Sequence, residues 1–159
     1  MIHELKQIVE YGYIAGLEGK RCVLATVVAL DASSYRKPGV RMLIREDGDM
    51  VGAVSGGCVE KDVVQNARQV FSTGESLVMT YDGRYRLGCE GTLFILLEPF
   101  SVDADTFATF SNYLKTRRPI SLTSYFRKVD RATGAFGTWL EFNETQIAFH
   151  DLPLPVESL

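Results

Sequence analysis

The sequence predicts an α+β domain, a mixed β-sheet with flanking helices. Two observations carry that expectation. Stretches with apolar residues at steps of three and four alternate with short, β-branched apolar runs. Several of those runs are joined by tight Gly-containing turns as hairpins, which argues against a doubly wound parallel sheet. The chain has 159 residues, suited to one domain, which we place at 1–151, with 152–159 as a tail.

Residues 3–18 read as a helix, with Leu5, Ile8, Val9 and Ile14 near one face and Gly19 as its stop. Cys22 to Leu30 is nearly continuous in apolar character, as in a central strand buried on both faces. Asp31 to Gly39 is a loop by composition. Val40 to Arg45 and Met50 to Val54 form a hairpin around Glu46-Asp47-Gly48-Asp49. Ser55-Gly56-Gly57 breaks the strand, and residues 58–72 return to helical spacing until Thr73-Gly74. Leu77 to Tyr81 and Thr92 to Glu98 are two more strands, and Pro99 closes this part. Asp103 to Lys115 is a third helix. Ile120 to Arg127, Thr138 to Phe142 and Gln146 to His150 are short strands, the first two linked by a turn at Asp130 to Gly137. The tail, LPLPVESL, reads as a linker or terminus.

Composition excludes several classes. Hydrophobic residues are 46% and charged residues 23%, so the chain is far from disorder. A net charge of −3 argues against nucleic-acid binding. No apolar run approaches the ~20 residues of a membrane span, and the N-terminus lacks a secretory signal. Three widely spaced cysteines suit a reducing cytoplasm, not a disulfide framework. No phosphate-loop or dinucleotide fingerprint is present, and no C-x-x-C pair points to zinc.

Three stretches carry candidate chemistry. In Val54-Ser55-Gly56-Gly57-Cys58-Val59-Glu60 a strand runs through two glycines into a helix. The unpaired N–H groups of a helix start favour an anion and lower the pKa of a cysteine placed there. A tight turn with a buried small residue fits the same spacing. In Leu87-Gly88-Cys89-Glu90-Gly91 a second cysteine lies between glycines. It is either a partner for Cys58 or a small apolar residue. Ser33 to Arg41 combines hydroxyls with Arg36, Lys37 and Arg41, suited either to a phosphate or to a solvated basic loop. Arg84 and Arg86 add to a positive basin, which Asp31, Glu60 and Glu90 oppose. Cys22 reads as core.

Taken in order, ALDASSYRKPGVRMLI, DGDMVGAVSGGCVE and LGCEGTLFILLEP resemble the XdhC/CoxI family over roughly residues 22–99, about half of the chain. Tyr35 and Glu90 depart from its usual pattern. The resemblance implies an accessory protein, a cofactor chaperone and not a turnover enzyme. Such a protein binds molybdenum cofactor transiently, protects it during sulfuration and delivers it to a molybdenum hydroxylase such as xanthine dehydrogenase. It implies Cys58 and Cys89 as contacts to molybdenum or its sulfur, with Cys58 the metal contact. It implies Ser33, Arg36 and Arg41 as contacts to pterin or phosphate, beside Gly56-Gly57. A cysteine desulfurase and a second copy of the chain are further expected partners. Many members continue into a Rossmann-like domain, so residues 152–159 are expected to be either a tail or the start of a link to one. Two other readings stand beside this. One is a thiol redox or persulfide carrier using Cys58 and Cys89. The other is a cofactor-free docking module.

Overall fold

The computed structural model describes residues 2–31, 39–54, 58–82 and 91–152, with the backbone alone for Cys58. Helix α1 is Ile2–Leu17. Its buried stripe is Leu5, Ile8, Val9, Gly12 and Ala15, while Ile14, expected on that face, is exposed. Small residues replace it because the Phe100 ring lies where a Cβ on Gly12 would stand. Gly19, at φ +73°, ends the helix as expected.

Strand β1 (Cys22–Asp31) is the buried centre, antiparallel to β2 (Arg41–Arg45) on one side and to β5 (Thr92–Phe100) on the other. The β2 strand turns through Gly48 into β3 (Met50–Gly52), the expected hairpin. Helix α2 (Cys58–Thr73) follows, then β4 (Ser76–Asp82), which pairs with β5. Helix α3 is Ala104–Leu114, with Asp103 as its N-cap accepting from Thr106 N at 2.7 Å. Strands β6 (Ser121–Tyr125), β8 (Gly137–Phe142) and β9 (Thr145–Ala148) form a second antiparallel sheet in the order β6-β8-β9.

The α+β class holds, and every ladder among the described residues is antiparallel, so the sheets are less mixed than expected. The region expected as a plain turn at 130–137 contains a short strand, β7 (Thr133–Gly134), that extends the first sheet beside β4. Its two residues are too few to show a period. The first sheet therefore runs β3-β2-β1-β5-β4-β7. Pro99 does not close β5: the strand continues to Phe100, with Pro99 opposite Val23. On the other side the β4–β5 ladder has already ended at Leu97, so Pro99 is paired on one side only.

The side chains of the first sheet alternate between two cores. Val23, Ala25, Met42, Ile44, Leu77 and Ile95 meet Val59, Val63, Ala67 and Val70 of α2. Leu24, Leu43 and Phe100 point the other way, to α1, α3 and the second sheet. A bulge between Val27 and Ala29 breaks the alternation near the end of β1, where Val28, Ala29, Phe94 and Leu96 join Phe126 and Phe136. None of the described helices is long and apolar enough to cross a membrane.

Candidate functional site

Strand direction brings the described flanks of the three motif stretches to one end of the first sheet. Asp31, at the end of β1, is opposite Thr92, which begins β5 and is also opposite Asp82 at the end of β4. Gly39 donates to the Val27 carbonyl at 2.7 Å, next to the start of β2. Gly52, the last residue of β3, is opposite Met42 at that same end, and α2 begins there after residues 53–57. The loops after β1, before α2 and between β4 and β5 thus all leave from one edge of the scaffold.

Of the residues expected there, Ser33, Arg36, Gly56, Gly57 and Cys89 lie outside the described residues, as do Tyr35, Arg84, Arg86 and Glu90. Cys58 is the first residue of α2, as its motif predicted. Glu60, in the first turn of α2, accepts from Val54 N at 3.0 Å through its Oε1. This ties the strand exit to the first helical turn, where a carboxylate also favours the helix dipole. Asp31, expected to oppose a positive basin, is paired with Lys128 Nζ at 2.6 Å.

Arg41 is placed by β2. Its neighbours Met42 and Ile44 face α2, so alternation sends Arg41 to the opposite face of the sheet. The structure therefore does not set Arg41 on the α2 side with Cys58. It lines a cavity of about 330 Å³ between the ends of β1 and β2 and the strand β6. Thr26, its register partner, and Ser124 supply hydroxyls there, and Val28, Leu122 and Phe126 supply apolar wall. Arg41 Nη1 donates to the Gly39 carbonyl at 2.6 Å, and its Nε has no partner among the described residues. Burial pushes the guanidinium down from its ordinary value, while the negative charge of Glu98 draws it back up.

Sequence reasoning missed three residues of this region. Thr26 and Ser124 give no signal beyond ordinary strand composition. Glu98 gave one, as the carboxylate in the otherwise apolar run Thr92–Phe100. It is fully buried, with Oε1 accepting from Thr138 N at 2.9 Å and Oε2 from the Thr138 hydroxyl at 2.8 Å. His150 Nε2 lies 3.4 Å from Oε1. Among the described residues, no group of three ligating side chains is placed to hold a metal ion.

Cys22 is core, as expected. Burial pushes its thiol from an ordinary 9.0 up to about 11. The folded protein therefore keeps a proton that the unfolded chain releases. The resulting stability is complete below the unfolded thiol's pKa and is lost as pH rises through about 11. Urea midpoints are expected to fall across that alkaline range, and to fall less in Cys22→Ala. The Tyr11 phenol, also raised by burial, accounts for part of what remains.

The model of the family described as XdhC and CoxI matches residues 17–82, a span that includes Ser33, Arg36, Arg41 and Cys58 and stops short of Cys89. A probable xanthine dehydrogenase subunit of Bacillus subtilis (strain 168) is 36% identical over 87 residues, 50% of this chain and 26% of that protein. The molybdenum cofactor insertion chaperone PaoD of Escherichia coli (strain K12) is 30% identical over 122 residues, 74% of this chain and 38% of its own. A crystal structure of a xanthine dehydrogenase from Bacillus halodurans matches with a TM-score of 0.65 at 28% identity, covering 94% of this chain and 46% of that one. The chain thus spans well under half the length of both curated relatives and just under half of the solved one.

Proposed function

Over residues 17–82 the chain belongs to the XdhC and CoxI family, and on that premise we propose that it is the cofactor-holding domain of a molybdenum cofactor chaperone. Its cargo is the pterin-bound molybdenum centre, and its client a molybdenum hydroxylase of the xanthine dehydrogenase kind. In this reading it holds the cofactor in the cytoplasm while a cysteine desulfurase supplies sulfur, then releases it. The chain performs no turnover of its own, and a second copy is the expected partner in a homodimer.

One observation carries this reading. The sheet sends the serine–basic loop, the Gly-Gly-Cys turn and the second cysteine loop out from a single edge, beside the start of a 16-residue helix. A helix start stabilises a thiolate, and a thiolate is the soft ligand that a molybdenum–sulfur centre accepts. Cys58 holds the metal end of the cargo. Cys89 adds a second sulfur contact. Gly56 and Gly57 admit the ligand close to the backbone, beside a helix start, whose N–H groups favour a phosphate. Ser33, Arg36 and Arg41 bind the phosphate and the pterin.

The test is titration of the chain with isolated cofactor, followed by its absorbance and by mass. The expected stoichiometry is near 1:1. Cys58→Ser is expected to weaken binding at least about tenfold, the loss of one strong ligand contact, while Cys22→Ala leaves it unchanged. Equal losses in both variants overturn the assignment of Cys58.

A further inference from the structure

Asp31 ends β1 at the root of two of the motif loops. Ser33 follows it by two residues, and its register partner Thr92 follows Cys89 by three. Asp82, the last residue of β4, is opposite Thr92 on the other side. Leu30 and Tyr81 pack on the α2 side, so alternation turns Asp31 and Asp82 to the face away from α2, where Arg41 also lies. An anion held by these loops therefore meets two carboxylates at their root. Lys128 answers the first of them. Its Nζ lies 2.6 Å from Asp31 Oδ1 and 5.2 Å from the centroid of the Phe94 ring, two residues along β5 from Thr92. The segment that carries Lys128, between β6 and β7, is laced to β4. Arg131 N donates to the Val78 carbonyl at 2.8 Å, Val78 N to the Ala132 carbonyl at 2.9 Å, and Thr80 N to Asp130 Oδ1 at 3.1 Å. Arg131 Nη2 also donates to Gln69 Oε1 of α2 at 2.8 Å. The ammonium is thus set in place by a ring, a carboxylate and a tethered backbone. Yet the Lys128 and Asp31 side chains are 47% and 54% exposed, and an ion pair so open to water contributes little to stability. Its larger effect is on the charge at the loop root.

We propose that Lys128 neutralises Asp31 so that the loops rooted beside it can hold a negatively charged, phosphate-bearing ligand. Lys128 is a positioning residue: it acts through Asp31 and does not touch the ligand. It comes from the C-terminal third of the chain, outside the residues 17–82 that the family model matches. The inference deepens the cofactor reading, and rests on it for the charge of the ligand and for the loops that hold it.

The experiment titrates the intact chain with isolated molybdenum cofactor at low and at high salt. Lys128→Met keeps the unbranched stem over Phe94 and removes the charge. It is expected to weaken binding about fivefold at low ionic strength, the effect of one uncovered charge near an anion. In about 0.5 M potassium chloride the loss should shrink to less than about twofold, because salt screens a charge that is not in contact. Lys128→Arg is expected to bind as the unaltered chain does. Asp31→Asn is the decisive partner. Alone it should bind at least as tightly as the unaltered chain, and combined with Lys128→Met it should restore binding to within about twofold. A double variant as weak as Lys128→Met overturns the proposal in favour of direct contact between Lys128 and the ligand. Equal losses in both single variants, unmoved by salt, overturn it in favour of a purely structural tie. Binding that still depends on Cys58 but is indifferent to Lys128 sinks this inference alone. An unaltered chain that binds no cofactor overturns the cofactor reading, and this inference with it.

Discussion

Gly52→Ala is expected to destabilise the chain by about 2–4 kcal/mol, at the upper end for a single methyl group. Gly52 has φ +80°, where an L side chain is strained by about 1–2 kcal/mol. Its new Cβ would stand 2.7 Å from the Arg41 carbonyl oxygen and 3.3 Å from Met42 Cα. Both are backbone atoms of β2, held in the ladder to β1, so neither can turn aside as a flexible side chain would. Gly48→Ala is the control. It has φ +97° and nothing within 4 Å of the added atom, so it carries the backbone strain without the collision. Urea midpoints of the two variants separate these terms, and equal losses would show that the contact with Arg41 is not tight.

The elements that sequence reading found are those whose burial writes a period. Helix α2 shows Val59, Val63, Ala67 and Val70 at helical spacing because one face meets a flat sheet. The β1 strand shows a continuous apolar run because both of its faces are covered. What was missed lacks such a record. Strand β7 is two residues long, held by its place beside β4. Ile14 looks like part of the α1 stripe by spacing, yet the stripe passes through Gly12 and Ala15 because an aromatic ring from β5 occupies the room. That fact belongs to a partner far along the chain, and no local pattern holds it.

The candidate site divides in the same way. A Gly-Gly-Cys turn before a helical period is a local signal, and the helix does begin at Cys58. The convergence of three loops at one edge needs strand order, which no local pattern writes. The side on which Arg41 falls needs the register of β2, which sends it to the face of the sheet away from α2. Thr26 and Ser124 are ordinary strand residues until the two sheets are set face to face. Glu98 was legible as an anomaly, a carboxylate among aliphatic residues, though its partner Thr138 was not.

Glu98→Ala is expected to be among the most damaging substitutions in the chain, at about 3–5 kcal/mol. The carboxylate belongs to the first sheet and both of its donors to Thr138 of β8 in the second, so it is a polar tie between two layers otherwise joined by apolar contact. Removing it leaves the Thr138 N–H without its acceptor in a place closed to water and opens a void of side-chain size. The Thr138 and Ser124 hydroxyls lose their fixed order at the same time. Glu98→Gln keeps the shape and one acceptor, and is expected to lose only about 1–2 kcal/mol. At this chain length the alanine variant should melt about 10 °C lower and the glutamine variant only a few degrees lower. If the two variants melt together, the carboxylate is not the tie between the sheets.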